Sequence, residues 1–167
     1  MEIIVLPSQE ARASALTTGQ VDFTSRTAAR DVTTFKANPQ FALSMDPTLY
    51  LDMVYINWAK KPLDDKRVRQ ALNYAVDREE IFTGVYGELG AIAWAGVIPP
   101  THWAYGDANK KPFPHDLQKA KDLLREAGYG PGEASIDCRI GRTTDERRTG
   151  QLMKAQLEEA GFKINLK

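Results

Sequence analysis

Residues 57–81 read NWAKKPLDDKRVRQALNYAVDREEI, and the apolar pattern that begins in this stretch decides the fold class. Apolar residues recur there every three or four positions, which is the spacing that buries one face of a helix. Asp64 or Asp65 can cap the start of this helix, since a carboxylate suits the positive end of the helix dipole. The pattern therefore predicts one continuous amphipathic helix. Its apolar face comprises Val68, Ala71, Leu72, Ala75, Val76 and Phe82.

The segments on the amino-terminal side of this helix are short apolar runs and short helices. Residues 3–6, 41–45 and 49–58 are rich in apolar side chains, and the last of these runs has the aromatic and β-branched residues that strands prefer. Ser8 can cap a helix that ends near Gly19, and residues 27–36 carry apolar side chains three positions apart. We therefore expect three strands and two helices in this section.

The carboxyl-terminal side begins with a long loop and continues as alternating helices and strands. Residues 84–114 contain five glycines and four prolines, which disfavours regular structure there. Asp116 can cap a helix that ends at Gly128, and a further helix is predicted over residues 145–160. Residues 134–140 and 163–167 alternate as half-buried strands do. Strands and helices are thus interleaved, which predicts an α/β or mixed α+β fold class.

The composition describes one globular domain. Of the 167 residues, 43% are hydrophobic and 26% are charged, so residues 1–167 can bury a core as a single domain. Lys and Arg number 22, as do Asp and Glu, so no basic excess indicates binding to nucleic acid. No apolar run approaches the ~20 residues that a membrane-spanning helix needs. The first seven residues also lack the pattern of a secretory signal peptide.

Few residues are suited to catalysis or metal binding. Cys138 lies on the apolar side of a predicted strand, which favours packing over nucleophilic chemistry. His102 and His115 lie in the long loop near Asp107 and Asp116, without the ligand spacing of a known metal site. We therefore predict no catalytic residue and no metal, and a small hydrolase that uses His102 or His115 remains an alternative.

The long loop also carries aromatic side chains. Trp94, Trp103 and Tyr105 lie in it, and such side chains commonly line ligand pockets. The alternative is that these rings only hold the loop against its own domain, because burying aromatic rings orders a loop. A stand-alone interaction domain with Trp94 and Trp103 as its anchors is a further hypothesis.

Residues 57–81 closely resemble the signature of the family 5 extracellular solute-binding proteins, which are the peptide-, oligopeptide- and nickel-binding subunits of ABC importers. The family pattern has an Asn at a strand end, a Pro, an Asp, Arg-Val-Arg-x-Ala-Leu and Ala-(Ile/Val)-Asp-Arg. Residues 15–22, 96–100, 120–129 and 157–166 also resemble segments of this family, so the resemblance covers essentially the whole chain. In the signature itself, the matching residues are Pro62, Asp65, Arg67, Val68, Arg69, Ala71, Leu72, Ala75, Val76, Asp77 and Arg78.

This resemblance implies both a fold and a function. Members of the family have two lobes that close over a ligand, and this sequence is similar to an internal part of the second lobe. We therefore expect an incomplete lobe of the type II periplasmic-binding-protein kind, with a mixed sheet and flanking helices. The implied function is capture of peptides or a similar small solute for uptake, without a cofactor and without enzymatic activity. The implied partners are that solute and an ABC permease.

The resemblance also implies a location and leaves the binding residues open. The location would be periplasmic or extracellular, with a lipid anchor in the longer parent protein. We interpret Arg67, Arg69 and Arg78 as structural, with a carboxylate clamp for a peptide as the alternative. We expect the isolated chain to bind solute weakly or not at all, and its open lobe surfaces to favour self-association. The residues that we expect to face the cleft are Asn57, Trp94 and Trp103.

Overall fold

The computed structural model describes residues 1–46, 49–87, 89–106 and 112–167 of the chain. Its elements are interleaved, as the sequence predicts, and the mixed helix and strand class is confirmed. The helices are α1 (Gln9–Thr17), α2 (Ala29–Ala37), α3 (Lys66–Ala75), α4 (Arg78–Tyr86), α5 (Leu117–Glu126) and α6 (Thr144–Glu159). The strands are β1 (Ala134–Cys138) and β2 (Phe162–Leu166).

The two strands form a parallel pair. Ala134 lies opposite Phe162, and Cys138 lies opposite Leu166. Parallel neighbours need a crossover connection, and α6 supplies it between β1 and β2. Within the described residues the sheet has two strands, so it is smaller than the expected sheet and is parallel rather than mixed.

The apolar core is built by α3 to α6 and the two strands. Val68, Ala71 and Ala75 on α3 are fully buried, as the helical spacing of the sequence predicts. The packing of α3 against α5 and of α6 against β2 closes the core on both sides. Local caps fix where these helices begin: Asp65 caps α3, Asp116 caps α5, and Thr143 with Glu146 forms a capping box on α6. We call residues 63–86 and 117–166 the packed block.

The continuous helix expected through residue 82 is instead two helices. Val76 has an extended backbone, and Asp77 caps α4 by accepting hydrogen bonds from the N–H groups of Glu79 and Glu80, both at 3.0 Å. Arg78 donates to the Asn73 carbonyl at 3.1 Å and thereby satisfies a carbonyl near the end of α3. Asp77 and Arg78 therefore make capping contacts at a helix junction, and Arg78 has the structural role that the sequence predicts.

The strands expected at residues 3–6, 41–45 and 49–58 are not paired in this structure. The described residues of these segments belong to neither strand, and many of their apolar side chains are exposed. A strand needs a neighbour for its backbone hydrogen bonds and for one face of its side chains. Within the described chain these segments have no such neighbour. We call residues 1–58 the amino-terminal section.

Polar contacts join α1 and α2 to the start of α6. The Gln9 side-chain oxygen accepts a hydrogen bond from the Thr144 N–H at 2.9 Å, and the Glu10 carboxylate accepts one from the Thr144 hydroxyl. In return, the Asp145 carboxylate accepts from the Ala29 N–H at 3.2 Å, at the first residue of α2. Each region thus satisfies helix-end groups of the other, and these contacts fix the amino-terminal section against the packed block.

Candidate functional site

A small pocket opens at the junction between α3 and α4, beside the long loop. Its volume is about 200 Å³. The loop contributes an aromatic wall and a histidine, and the start of α4 contributes charged side chains of both signs. The lining residues are Asp77, Arg78, Glu79, Trp94, Pro114 and His115.

Asp77 holds the α4 side of the pocket in place. While its carboxylate caps α4, its backbone is fixed by the buried Gln156 of α6. The Gln156 side chain accepts a hydrogen bond from the Asp77 N–H at 3.1 Å and donates to the Asp77 carbonyl at 3.4 Å. A buried amide that satisfies both backbone groups makes the junction rigid.

The end of the long loop supplies the opposite wall. His115 Nδ1 lies 3.4 Å from Asp77 Oδ2, and both side chains are partly exposed. The next residue, Asp116, donates its N–H to the Tyr74 carbonyl at 2.9 Å. The Tyr74 and Phe113 rings meet edge to face with centroids 5.3 Å apart. These contacts fasten residues 113–116 to α3 and place His115 over the α4 N-terminus.

The charged groups of the pocket differ in how much hydrogen-bonding capacity they have left for a ligand. Arg78 donates from both terminal nitrogens to Asn73, at 3.1 Å to the carbonyl and 2.9 Å to the side-chain oxygen. Burial lowers the pKa of the Arg78 guanidinium. Its donors are thus engaged within the chain, whereas the partly exposed Asp77 carboxylate keeps acceptor capacity toward the pocket. The arrangement suits a small polar or cationic group that stacks on Trp94 and pairs with a carboxylate.

The other two signature arginines are also engaged in structural contacts. Arg67 pairs with Asp65 at 2.6 Å and donates to the Glu126 carbonyl at 2.5 Å, which links the start of α3 to the end of α5. Arg69 donates to the carbonyls of Leu63 and Asp64 at 2.8 and 2.9 Å. These bonds give Arg67 and Arg69 the structural contacts that the sequence predicts.

The three residues expected to face the cleft lie in different settings. Trp94 is half-buried and lines the pocket. Asn57 is exposed, and its side-chain oxygen accepts a hydrogen bond from the Ala59 N–H at 3.1 Å. Trp103 is 91% exposed and lies beside His102, with ring centroids 5.3 Å apart. The structure therefore brings Trp94 together with Asp77 and His115, and it leaves Asn57 and Trp103 outside this pocket.

The residues considered for hydrolysis or metal binding do not converge within the described chain. His102 Nδ1 accepts a hydrogen bond from the Ala104 N–H at 3.1 Å, and His115 pairs with Asp77. Burial raises the pKa of the Cys138 thiol, which disfavours the reactive thiolate. Asp107 lies outside the described residues. In residues 1–46, 49–87, 89–106 and 112–167, no group of three or more metal-ligating side chains was found.

A second concave surface lies between α4 and α6. It has a volume of about 520 Å³ and a mostly apolar floor, and sequence reasoning missed it. The signal was the spacing of Arg148, Leu152 and Ala155, which places these residues on one face of α6.

The described helices also include none that is long and apolar enough to cross a membrane.

Comparison with known proteins places the whole chain in one family. Residues 1–167 match the model of the bacterial extracellular solute-binding proteins, family 5, middle section. Heme-binding protein A of Haemophilus influenzae is 33% identical over 168 residues, which cover 98% of this chain and 30% of that protein. The dipeptide-binding protein of Escherichia coli is 35% identical over 141 residues, or 81% of this chain and 26% of that protein.

A solved structure agrees with these relatives. The periplasmic binding protein DppA of Helicobacter pylori, in complex with the peptide STSA, superposes with a TM-score of 0.81 at 27% identity. That match covers 97% of this chain and 31% of DppA, so this chain spans about a third of that protein's length. The structural neighbours are type II periplasmic binding proteins, and the fold described above is a part of one lobe. The chain therefore belongs to the family 5 bacterial extracellular solute-binding proteins, which serve ABC importers.

Proposed function

We propose that residues 1–167 form one part of the second lobe of a two-lobed solute-binding protein that captures a peptide or a similar small solute. The solute would then pass to an ABC permease in the membrane. The match of the family model to the whole chain carries this proposal. Relatives that bind heme, dipeptides and the peptide STSA also support it. The proposed role is binding and delivery without catalysis and without a cofactor.

The solute site that we propose includes Trp94, Asn57 and Trp103. The Trp94 pocket, at about 200 Å³, is smaller than the ~300–1,000 Å³ that encloses a whole small ligand. It suits one side chain or one terminal group of a peptide. Asn57 and Trp103 are exposed and available to contact the remainder of the solute as the other lobe closes over it. Because this chain supplies only part of that enclosure, we expect weak binding by the chain alone.

The exposed apolar side chains support the proposal that this chain is part of a larger lobe. Of the sixteen large apolar side chains exposed among the described residues, fourteen lie in residues 1–58. An apolar surface of this kind normally meets other protein. We propose that further parts of a longer protein cover it, and that the chain studied alone self-associates through it. The proposed location is the periplasm or the cell exterior, with a lipid anchor on the longer protein.

One observation favours a second candidate, the stand-alone interaction domain. Trp103 is 91% exposed and Val97 is 73% exposed, so the long loop presents apolar side chains to the solvent. Exposed tryptophans of this kind are common anchors at protein interfaces. Against this candidate, Trp94 lines a concave pocket and not a flat apolar patch.

NMR titration of the 15N-labelled chain with separate dipeptide, tetrapeptide, glutathione and heme samples tests the proposed function. We expect one class of solute to shift the Trp94 indole and His115 signals, with a millimolar dissociation constant that fits a partial site. The Trp94→Ala variant should lose these shifts, whereas Trp58→Ala, an exposed tryptophan outside the pocket, should keep them. Shifts that survive Trp94→Ala, or no response to any of the solutes, would contradict the proposed site.

A further inference from the structure

The groove between α4 and α6 has the features of a protein-docking surface. It runs along α4 from Glu80 to Val85 and along α6 from Arg147 to Ala155, and it shares no lining residue with the Trp94 pocket. Its floor is mostly apolar, and its volume of about 520 Å³ is large enough to receive several side chains. An apolar groove between two helices is a surface on which an amphipathic helix can dock.

Two exposed arginines form one rim of this groove. Arg148 donates to the Gly84 carbonyl at 3.1 Å, and Arg147 donates to the Arg142 carbonyl at 2.7 Å. Within the described residues, no carboxylate lies within salt-bridge distance of either guanidinium. Each side chain is therefore oriented by a neutral carbonyl and retains hydrogen-bond donors, and the positive charge of Arg147 also acts on the adjacent Glu146. Such a rim favours a carboxylate-bearing partner.

The acidic side chain of the groove, Glu80, does not conflict with a carboxylate-bearing partner. Glu80 accepts a hydrogen bond from the Gln156 side chain at 2.5 Å, so its carboxylate is held at the α4–α6 contact. The arginines lie near the start of α6, and Glu80 lies near the start of α4. The charges of the two signs are thus separated along the groove, and a partner's carboxylates would be directed toward Arg147 and Arg148.

A glycine on α4 leaves room for close approach at this groove. Gly84 lies inside a helix, where glycine costs roughly 0.5–1 kcal/mol relative to alanine. An added Cβ at Gly84 would meet no atom within 4 Å, so nothing in the described chain requires a glycine. At Gly150 on α6, by contrast, a Cβ would lie 2.5 Å from Ile140 Cγ2, so the fold itself explains that glycine. The open space above Gly84 permits close approach from outside.

We propose that the α4–α6 groove binds an amphipathic, acidic helix of a partner protein. The apolar face of that helix would pack against Leu152 and Ala155, above the buried Val85, and its carboxylates would pair with Arg147 and Arg148. This proposal does not depend on which solute the chain captures, because the groove is separate from the Trp94 pocket.

The probe for this proposal is a fluorescein-labelled, 15-residue helical peptide with leucines at positions i, i+3, i+4 and i+7 and flanking glutamates. We expect its anisotropy to rise on titration with the full chain, with micromolar affinity. The same peptide with lysine in place of glutamate should bind at least about tenfold more weakly, because it would face like charge. No binding of the acidic peptide, or equal binding of both peptides, would overturn the proposal.

Variants locate the binding on the chain. Arg147→Glu combined with Arg148→Glu should weaken binding of the acidic peptide at least about tenfold. Gly84→Leu should block this binding, because the leucine side chain would fill the groove. The control is Lys119→Glu with Lys121→Glu, an equal charge change on the exposed face of α5, which should leave the affinity unchanged. Circular dichroism checks that each variant is folded. If the unliganded chain is a dimer that Gly84→Leu dissociates, a second copy occupies the groove and the acidic-helix proposal is wrong.

Discussion

The packed block and the amino-terminal section differ in where their apolar side chains lie. In the packed block, the buried core runs from Val68 on α3 to Ile164 on β2. In the amino-terminal section, Phe35 is buried, but Phe23 and Tyr55 are 81% and 86% exposed. The two regions meet through polar groups at the start of α6 and through the packing of α2 against α4. One chain thus combines a region that buries its own core with a region whose apolar surface is largely uncovered.

This difference shows which kinds of structure the chain can complete by itself. Helix hydrogen bonds are local, and side-chain caps such as Asp65 and Asp116 complete them without distant residues. Strands depend on neighbours that can lie far away in sequence. β1 finds β2 within this chain, whereas residues 49–58 find no partner strand among the described residues. We expect this difference between the two regions in a chain that spans about a third of the length of related proteins.

The sharpest test of this contrast compares a phenylalanine from each region. Phe162→Ala should lower the free energy of unfolding by about 3–5 kcal/mol, because the ring is almost completely buried and its removal leaves a cavity. Phe23→Ala should change it by less than about 0.5 kcal/mol, since that ring is mostly exposed. Urea unfolding monitored by circular dichroism measures both values. Equal losses in the two variants would show that the regions do not differ in burial.

A second test removes the cap that divides α3 from α4. Asp77→Ala should destabilise the packed block by about 1–2 kcal/mol, because two N–H groups of α4 lose their acceptor. Asp77→Asn keeps a side-chain oxygen at the cap and should restore most of that loss. Urea unfolding again provides the measurement. If Asp77→Ala were as stable as the original chain, the junction would not depend on this cap.

A third test concerns the contact between residues 49–58 and the packed block. Burial raises the pKa of the Tyr86 hydroxyl, which donates a hydrogen bond to Asp52 at 2.7 Å. Tyr86→Phe should cost about 0.5–1.5 kcal/mol. It should also accelerate proteolytic cleavage within residues 49–58. The exposed Tyr55 provides the control, and Tyr55→Phe should leave the cleavage rate unchanged. Equal cleavage of Tyr86→Phe and the original chain would mean that this bond does not hold the segment.

The smallest expected effect is the pH dependence of the contact between α1 and α6. The hydrogen bond from Thr144 is the main cause that lowers the pKa of Glu10 from 4.5 to about 2. Because the folded pKa is the lower one, the stabilisation is fully present above about pH 4.5 and is lost as the pH falls through about 2.

NMR signals of the Thr144 amide, followed during acid titration, should report this loss. The Glu10→Gln variant should show no titration of that signal over the same range. The Glu10 side chain is exposed, so the accompanying change in global stability should be small. A Thr144 signal that titrates identically in Glu10→Gln would assign the change to another group.

The sequence predicts the packed block well because its signals are local. The caps and apolar spacing of α3, α5 and α6 lie within each helix, and the two-residue alternation marks β1 and β2. The break before α4 was missed because helical spacing continues across Val76. A clue was present, since Asp77 is followed three residues later by Glu80, a pattern typical of helix N-termini. Local sequence patterns could not show that residues 3–6, 41–45 and 49–58 lack strand partners, because pairing depends on a neighbour that can be distant in sequence.

The candidate site was only partly predictable for the same reason. Trp94 could be selected because aromatic side chains in a long loop often line pockets. Its neighbours Asp77 and His115 lie far apart in sequence, and tertiary packing alone brings them to 3.4 Å. The α4–α6 groove likewise arises from two helices that are separated by the whole of α5 and β1. The roles of Asn57 and Trp103 in solute binding remain predictions.

Hydrogen–deuterium exchange of the full chain, read by mass spectrometry, tests the contrast between the two regions most directly. Exchange reports the local free energy of opening at each backbone amide. We predict that amides of α3, α5, β1 and β2 exchange slowest and that residues 49–58 exchange at the shortest labelling time. At a concentration where the chain is monomeric, protection of residues 49–58 equal to that of β1 and β2 would contradict the account, because it would require a strand partner within this chain.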